Sequence, residues 1–108
     1  MRKFSLARQQ LFIDFVVERN NWSIATFGPG KCTKGIIEHI KLELQEIEEE
    51  PLDLFEWIDV MNLALDGYFR HGGKPVQLLA MLWVKLSICK SRKYPKPKSE
   101  DEPSEHIR

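Results

Sequence analysis

A chain of 108 residues has room for one domain with a core and for a single site. Its 16 basic residues balance 16 acidic ones, so no net field draws it to nucleic acid or to a membrane surface, and affinity for an anion must be built locally. Cys32 and Cys89 stand far apart without C-x-x-C spacing or a His partner, which argues against a zinc site or a disulfide scaffold and points to reduced thiols in a soluble, cytoplasmic protein.

Ser5 suits the N-cap of a first helix running to about Asn20, with Leu11, Phe12, Phe15 and Val16 on one face. Its apolar run LFIDFVV is short and carries Asp14, which excludes a signal segment and a membrane span. Residues 21–35 gather Gly28, Pro29 and Gly30 around Phe27 and read as a loop. From Ile36 to about Glu50, the residues Ile36, Ile37, Ile40, Leu44 and Ile47 form a helical stripe, and Pro51 ends it because the residue before a proline avoids the α region. A third helix starts near Asp53 and runs to about Phe69, with Leu54, Ile58, Met61 and Leu65 marking its core side. RHGGKP then supplies glycines to stop it and a proline to open a fourth helix, about Pro75 to Ser91, expected to bury Leu79, Leu82, Trp83 and Leu86. The tail from Lys93 is proline-rich and charged and reads as extended. The expectation is an all-α fold of four helices over residues 1–92, followed by a charged tail over 93–108.

The short connection at Pro51 makes helices two and three antiparallel neighbours. Each carries carboxylates three residues apart, Glu43 with Glu46 and Glu56 with Asp59. Glu43 flanks the apolar stripe of helix two, with His39 and Glu46 further round the same side. On helix three, Glu56, Asp59, Asn62 and Asp66 gather on the arc opposite the core side, interrupted by Leu63, and that arc is expected to line a cleft. Four carboxylates in one cleft repel unless protonated or neutralised by cations, and oxygen-only ligands suit Mg²⁺ or Mn²⁺ rather than zinc. The plainer alternatives are that Glu56 completes a capping box with Asp53 and that Glu43 and Glu46 are solvated. Glu46 with Glu49 and Glu50 with Asp53 repeat the spacing, but Glu49, Glu50 and Asp53 fall at helix ends around Pro51.

E-x-x-E followed by E-x-x-D resembles the MazG-like all-α nucleoside triphosphate pyrophosphohydrolases. The strings TFGPG, GIIEHIKLELQEI, DLFEWIDVMNLALDG and EHIR look more closely like the bacterial and phage dATP/dGTP diphosphohydrolase-type domain, over residues 20–108. The resemblance implies a four-helix MazG-like bundle in which a central antiparallel pair carries the acidic site, with Glu43, Glu46, Glu56 and Asp59 holding Mg²⁺. It also implies hydrolysis between the α- and β-phosphates to a monophosphate and pyrophosphate, a role in nucleotide-pool control, and a homodimer or larger assembly. Metal ions so held would offset phosphate charge, position the α-phosphate and activate water for in-line attack.

A polyanionic substrate calls for basic groups. Lys85 and Arg92 share one face of helix four at i and i+7, with Cys89 between them, although basic residues late in a helix also serve as dipole partners. The chain departs from the family pattern at Ile88 and Cys89, where that pattern has Lys and Asn, and at Cys32, where it has Arg; Lys31, Lys34 or Lys90 are the substitutes at hand. Those departures keep open a second reading, a non-catalytic helical interaction protein that retains the fold without turnover. A di-iron carboxylate bundle is set aside because helices two and three hold no Glu-x-x-His pair.

Trp22, Trp57 and Tyr68 are candidates to stack on a base, and Trp22 stands out because it falls in the loop region while the others read as core. His39 reads as a surface or hydrogen-bonded histidine and not as a ligand. The glycines at 28 and 30 lack the P-loop pattern, and the basic run from Lys90 to Lys98 is followed at once by acidic residues, so no nucleic-acid partner is expected. Apolar surface at Phe12, Phe55 and Trp83 calls for a partner, in line with a homo-oligomer.

Overall fold

A computed structural model describes residues 6–96 and 99–107; the expected cap at Ser5, together with Lys98 and Arg108, lies outside them. Among the described residues the fold is all-α, as expected, with four helices: α1 (Leu6–Phe27), α2 (Thr33–Glu49), α3 (Leu54–Arg70) and α4 (Pro75–Ser91). The chain forms two compact units, Met1–Pro75 and Val76–Arg108.

In the first unit α2 and α3 form the antiparallel pair, joined by residues 50–53. Asp53 caps α3 by accepting a hydrogen bond from Phe55 N at 3.0 Å, and Trp57 Nε1 reaches back to the Pro51 carbonyl at 3.0 Å. The register is legible in side-chain partners. Thr33 meets His71, Ile36 Cγ2 faces Gly67, and Glu43 and Glu46 gather with Asp59 and Glu56. As α2 advances α3 recedes by nearly the same number of residues, which is the signature of antiparallel helices. At the open end His71 Nδ1 donates to the Gly67 carbonyl at 2.6 Å, so Nε2 in the neutral ring accepts from the Thr33 hydroxyl.

The packed line of α2 is Ile36, Ile40, Glu43 and Ile47: Ile36 and Ile47 are buried and the other two half-buried, whereas Ile37 and Leu44 of the expected stripe are exposed. On α3 the expected core side is mostly turned outward. Leu54, Ile58 and Met61 are exposed and only Leu65 is half-buried, whereas Asp66 and Phe69 are the buried residues, with Glu56, Val60 and Leu63 half-buried. A helix apolar around most of its circumference has no single stripe to orient it, so the bonds of Asp66 and Arg70 to Arg19 and Ser23 on α1 help decide which face turns inward.

α1 continues through Phe27, a full seven residues beyond Asn20, and α2 begins at Thr33 rather than Ile36, so the expected loop over 21–35 shrinks to residues 28–32. The extension is held by tertiary bonds. Ser23 is 1 % exposed and donates to Asp66 Oδ1 at 2.6 Å, and Arg70 Nη2 donates to the Ser23 hydroxyl at 3.0 Å. Gly28, at φ +84°, then ends the helix in the left-handed conformation, its N–H donating to the Ile24 carbonyl at 2.9 Å. Val16 is fully buried and Phe12 half-buried, but Leu11 and Phe15, expected beside them, are exposed, because the packed face of α1 runs instead through Val16, Asn20 and Ser23.

In the second unit Leu78 is buried and Leu79 half-buried, while Leu82, Trp83 and Leu86, expected in the core, are exposed and line a shallow apolar groove with Leu79. The tail is not simply extended. Lys93 and Ile107 form an isolated antiparallel bridge, and Tyr94 meets His106 edge to face at 6.4 Å, so the tail turns back on itself.

Candidate active site

Glu43 and Glu46 lie one turn apart on α2, Glu56 and Asp59 one turn apart on α3, and the antiparallel register brings the two pairs together. One oxygen from each of the four carboxylates lies within 4.8 Å of every other. Glu56 is not spent on a capping box, since the Asp53 N–H that such a box would use already donates to the Glu50 carbonyl at 3.1 Å.

The electrostatics of this cluster are unfavourable for four bare carboxylates. Burial raises the Glu43 carboxyl above its usual range, hydrogen bonding with Glu46 and the charges of Glu46 and Asp59 add to this, and His39 opposes it. His39 Nε2 lies 3.2 Å from Glu43 Oε1, which makes it the close basic neighbour of a site carboxylate. Glu56 is pushed up to about 7, first by burial, then by hydrogen bonding with Glu46 and by the charges of Glu46, Asp53 and Asp59. Glu43 Oε2 and Glu56 Oε2 are each buried without a protein hydrogen-bond partner. Buried acceptors without donors are costly, and a hard divalent cation satisfies them while offsetting the charge. The donor set fits such an ion.

A second cluster, not anticipated from the sequence, lies further along α3. Arg70, with its side chain 2 % exposed, donates to Asp66 Oδ2 at 2.8 Å, to the Gly28 carbonyl at 2.8 Å and to the Gly30 carbonyl at 3.1 Å. Its Nη1 also lies 3.5 Å from Cys32 Sγ, the position where an arginine was expected. Arg19 Nη1 meets the same Asp66 at 3.2 Å. Burial is the largest single influence on Asp66 and acts to raise it, but hydrogen bonds from Ser23, Arg70 and Arg19, with the charge of Arg70, outweigh it and hold the carboxyl below its usual range. The only sequence signal for this cluster was the i, i+4 spacing of Asp66 and Arg70 inside an otherwise apolar string.

The remaining expected site residues are placed as follows. Trp22 lies on α1 and not in a loop, half-exposed, its ring edge-on to Phe27 at 5.6 Å. It borders a cleft with Phe15, Glu18, Arg19 and Asn62. Lys34 is exposed in the first turn of α2, nine residues before Glu43 and therefore well over two turns from it. Lys85 is exposed on α4 and Arg92 half-buried just beyond its end, both in the second unit. Trp57 is half-exposed rather than core, and Tyr68 is half-buried against Phe69 with its hydroxyl donating to the Lys74 carbonyl at 3.0 Å.

No helix among the described residues is long and apolar enough to cross a membrane. No curated protein and no solved structure matches the chain. The family model for dATP/dGTP pyrophosphohydrolase matches residues 15–108 and so takes in every helix from the middle of α1 onward, including all four clustered carboxylates. The chain therefore belongs to the dATP/dGTP pyrophosphohydrolase family, nucleotide hydrolases that act on acid anhydrides.

Proposed function

We propose that this protein is a Mg²⁺-dependent nucleoside triphosphate pyrophosphohydrolase of the dATP/dGTP type that cleaves between the α- and β-phosphates, releasing a nucleoside monophosphate and pyrophosphate. The observation that carries the reading is the convergence of Glu43, Glu46, Glu56 and Asp59, with two buried carboxylate oxygens left without protein donors, inside a family of nucleotide pyrophosphohydrolases. These four residues are the ligands we assign to Mg²⁺, with Mn²⁺ as the substitute. When bound, the ion supplies positive charge against the triphosphate and polarises its oxygens.

The protein's own groups do the rest. Glu43 and Glu56 are raised by burial, so protons and the ion would compete for their oxygens, and whichever of the four carboxylates the ion left uncoordinated would accept the proton of the attacking water. His39 orients Glu43 through their 3.2 Å contact. Lys34, Lys85 and Arg92 are assigned to the phosphates and Trp22 to the base. We assign the working form to a homodimer or larger assembly, because Leu54, Phe55, Ile58 and Met61 leave an apolar surface on α3 that a monomer would expose to water. The place of action is the nucleotide pool of the cytoplasm.

The test is to incubate the purified protein with Mg²⁺ and each common ribo- and deoxyribonucleoside triphosphate and to measure monophosphate and pyrophosphate. Both products should form from the deoxypurine substrates, and turnover should fall at least a hundredfold, about 2.7 kcal/mol of transition-state stabilisation, in Glu43→Gln and Asp59→Asn. Orthophosphate in place of pyrophosphate would refute the cleavage position. Metal binding without turnover would favour the non-catalytic interaction protein.

A further inference from the structure

Outside the acidic cluster, the described residues of the first unit hold a cleft that combines aromatic walls with a fixed polar group. Phe15, Glu18, Arg19 and Trp22 are spaced i, i+3, i+4, i+7, so they form one face of α1, and Asn62 of α3 closes the cleft from the other side. It is a cleft of about 440 Å³ that lies open to solvent. Phe15 and Trp22 are 58 % and 55 % exposed, so most of each ring is free to cover a planar ligand. Asn62 follows Asp59 by three residues on the same side of α3, which sets it about 4.5 Å further along the axis than the acidic cluster.

The orientation of Asn62 is determined by its neighbour. Arg19 Nε is a donor and nothing else, so the Asn62 atom it meets is the carbonyl oxygen Oδ1. Arg19 is in turn held by Asp66 at 3.2 Å, and its side chain is only 8 % exposed. With Oδ1 committed to this buried arginine, the amide presents its NH₂ to the cleft, and a donor is what the cleft offers there.

We propose that Asn62 is the purine-selecting residue of this enzyme: Phe15 and Trp22 stack on the base while the Asn62 amide donates to N7, and Arg19 acts as a positioning residue that keeps the amide oxygen turned away. N7 is an acceptor in both adenine and guanine, which pyrimidines lack, and it lies on the edge of the purine away from the sugar, so one donor serves both deoxypurines. This inference rests on the nucleotide hydrolase reading above.

The test compares dATP and dGTP with their 7-deaza analogues, in which a C–H replaces N7, on the full-length protein with Mg²⁺. Wild type should show kcat/KM lower by tenfold or more for each analogue. Asn62→Ala should lower the parent substrates to the level of the analogues and leave no difference between them. Asn62→Asp, which keeps the side-chain shape but has no donor when ionised, should also abolish the preference and guards against a folding defect in the alanine variant. Equal use of parent and analogue by wild type, or a preference that persists in both variants, overturns the proposal. Should no triphosphate be turned over, the hydrolase reading fails on its own. Quenching of tryptophan fluorescence by dATP and by 7-deaza-dATP then decides the base site, with tenfold weaker binding of the analogue expected and equal binding overturning it.

Discussion

Glu43 and Glu56, from antiparallel helices, each direct an oxygen into the interior of the α2–α3 pair where no protein donor meets it. The two carboxyls are raised by the same causes, burial first and then their acidic neighbours, Glu56 to about 7. Protons and a divalent cation therefore compete for this site. Mg²⁺ affinity is expected to increase as pH rises through about 7, with proton release on binding that calorimetry in buffers of different ionisation enthalpy would measure. Affinity independent of pH across this range would contradict the arrangement.

The same shifts have a sign for stability. A carboxyl raised in the folded state binds its proton more tightly there than in the unfolded chain, so its contribution is fully present below the unfolded value of 4.5 and is lost as pH rises through about 7. Without metal, the urea midpoint should fall between these pH values, and Mg²⁺ should restore it at the upper end. Asp66 acts in the opposite direction: its carboxyl is lowered from 3.8, so its contribution is present above that value and is lost on further acidification.

Arg70 satisfies Asp66, the Ser23 hydroxyl and two loop carbonyls at once. Replacing it with Met leaves buried acceptors unpaired and should cost about 3–5 kcal/mol in chemical denaturation. Arg70→Lys should recover only part of this, because an ammonium cannot reproduce the planar fork. A loss within 1 kcal/mol for Arg70→Met, about the level of an exposed pair, would show that the cluster does not hold α1 to α3.

Gly73 passes under the ring of Tyr68 so closely that an added Cβ would overlap Tyr68 Cε1. Since the Tyr68 hydroxyl is bonded to the Lys74 carbonyl, the ring cannot move aside without breaking that contact. Gly73→Ala should destabilise by about 1–3 kcal/mol, and Gly73→Ala combined with Tyr68→Leu by clearly less than the two single losses together. Thermal melts of the four proteins would measure the coupling.

The exposed face of α3 gives a prediction about assembly. Wild type should run as a dimer or larger in light scattering, and Ile58→Glu with Met61→Glu should shift it toward monomer, since a charge at an apolar interface is not tolerated without a partner. A monomeric wild type at micromolar concentration would remove the assignment.

The four helices were legible because Pro51, Gly72 with Gly73, and Pro75 punctuate the chain unambiguously, and the acidic pairs because E-x-x-E and E-x-x-D repeat across a short connection. The inward face of α3 was not legible. Leu54, Ile58 and Met61 have ordinary core spacing, but the face that packs is set by Asp66 and Arg70 meeting Arg19 and Ser23, partners that lie 47 or 43 positions away and leave no local trace. The last turns of α1 were missed for the same reason. Asn21, Ser23 and Thr26 have poor helical propensity, and the bonds that make them helical come from another helix.

The connector over residues 50–53 sets the rotational phase of one helix against the other. A residue inserted there would shift α3 against α2 and carry Glu56 and Asp59 out of register with Glu43 and Glu46. It could be absorbed as a bulge only by giving up the bonds from Asp53 N to Glu50 O and from Trp57 Nε1 to Pro51 O. The turn is thus a spacer of fixed length, where a one-residue indel would disable the site while leaving every ligand residue in the sequence. The segment between Tyr94 and His106 is under no such constraint: it closes on the Lys93–Ile107 bridge and the Tyr94–His106 ring contact, and lengthening it between them costs only the slow growth of loop entropy. A reporter tag or epitope belongs there.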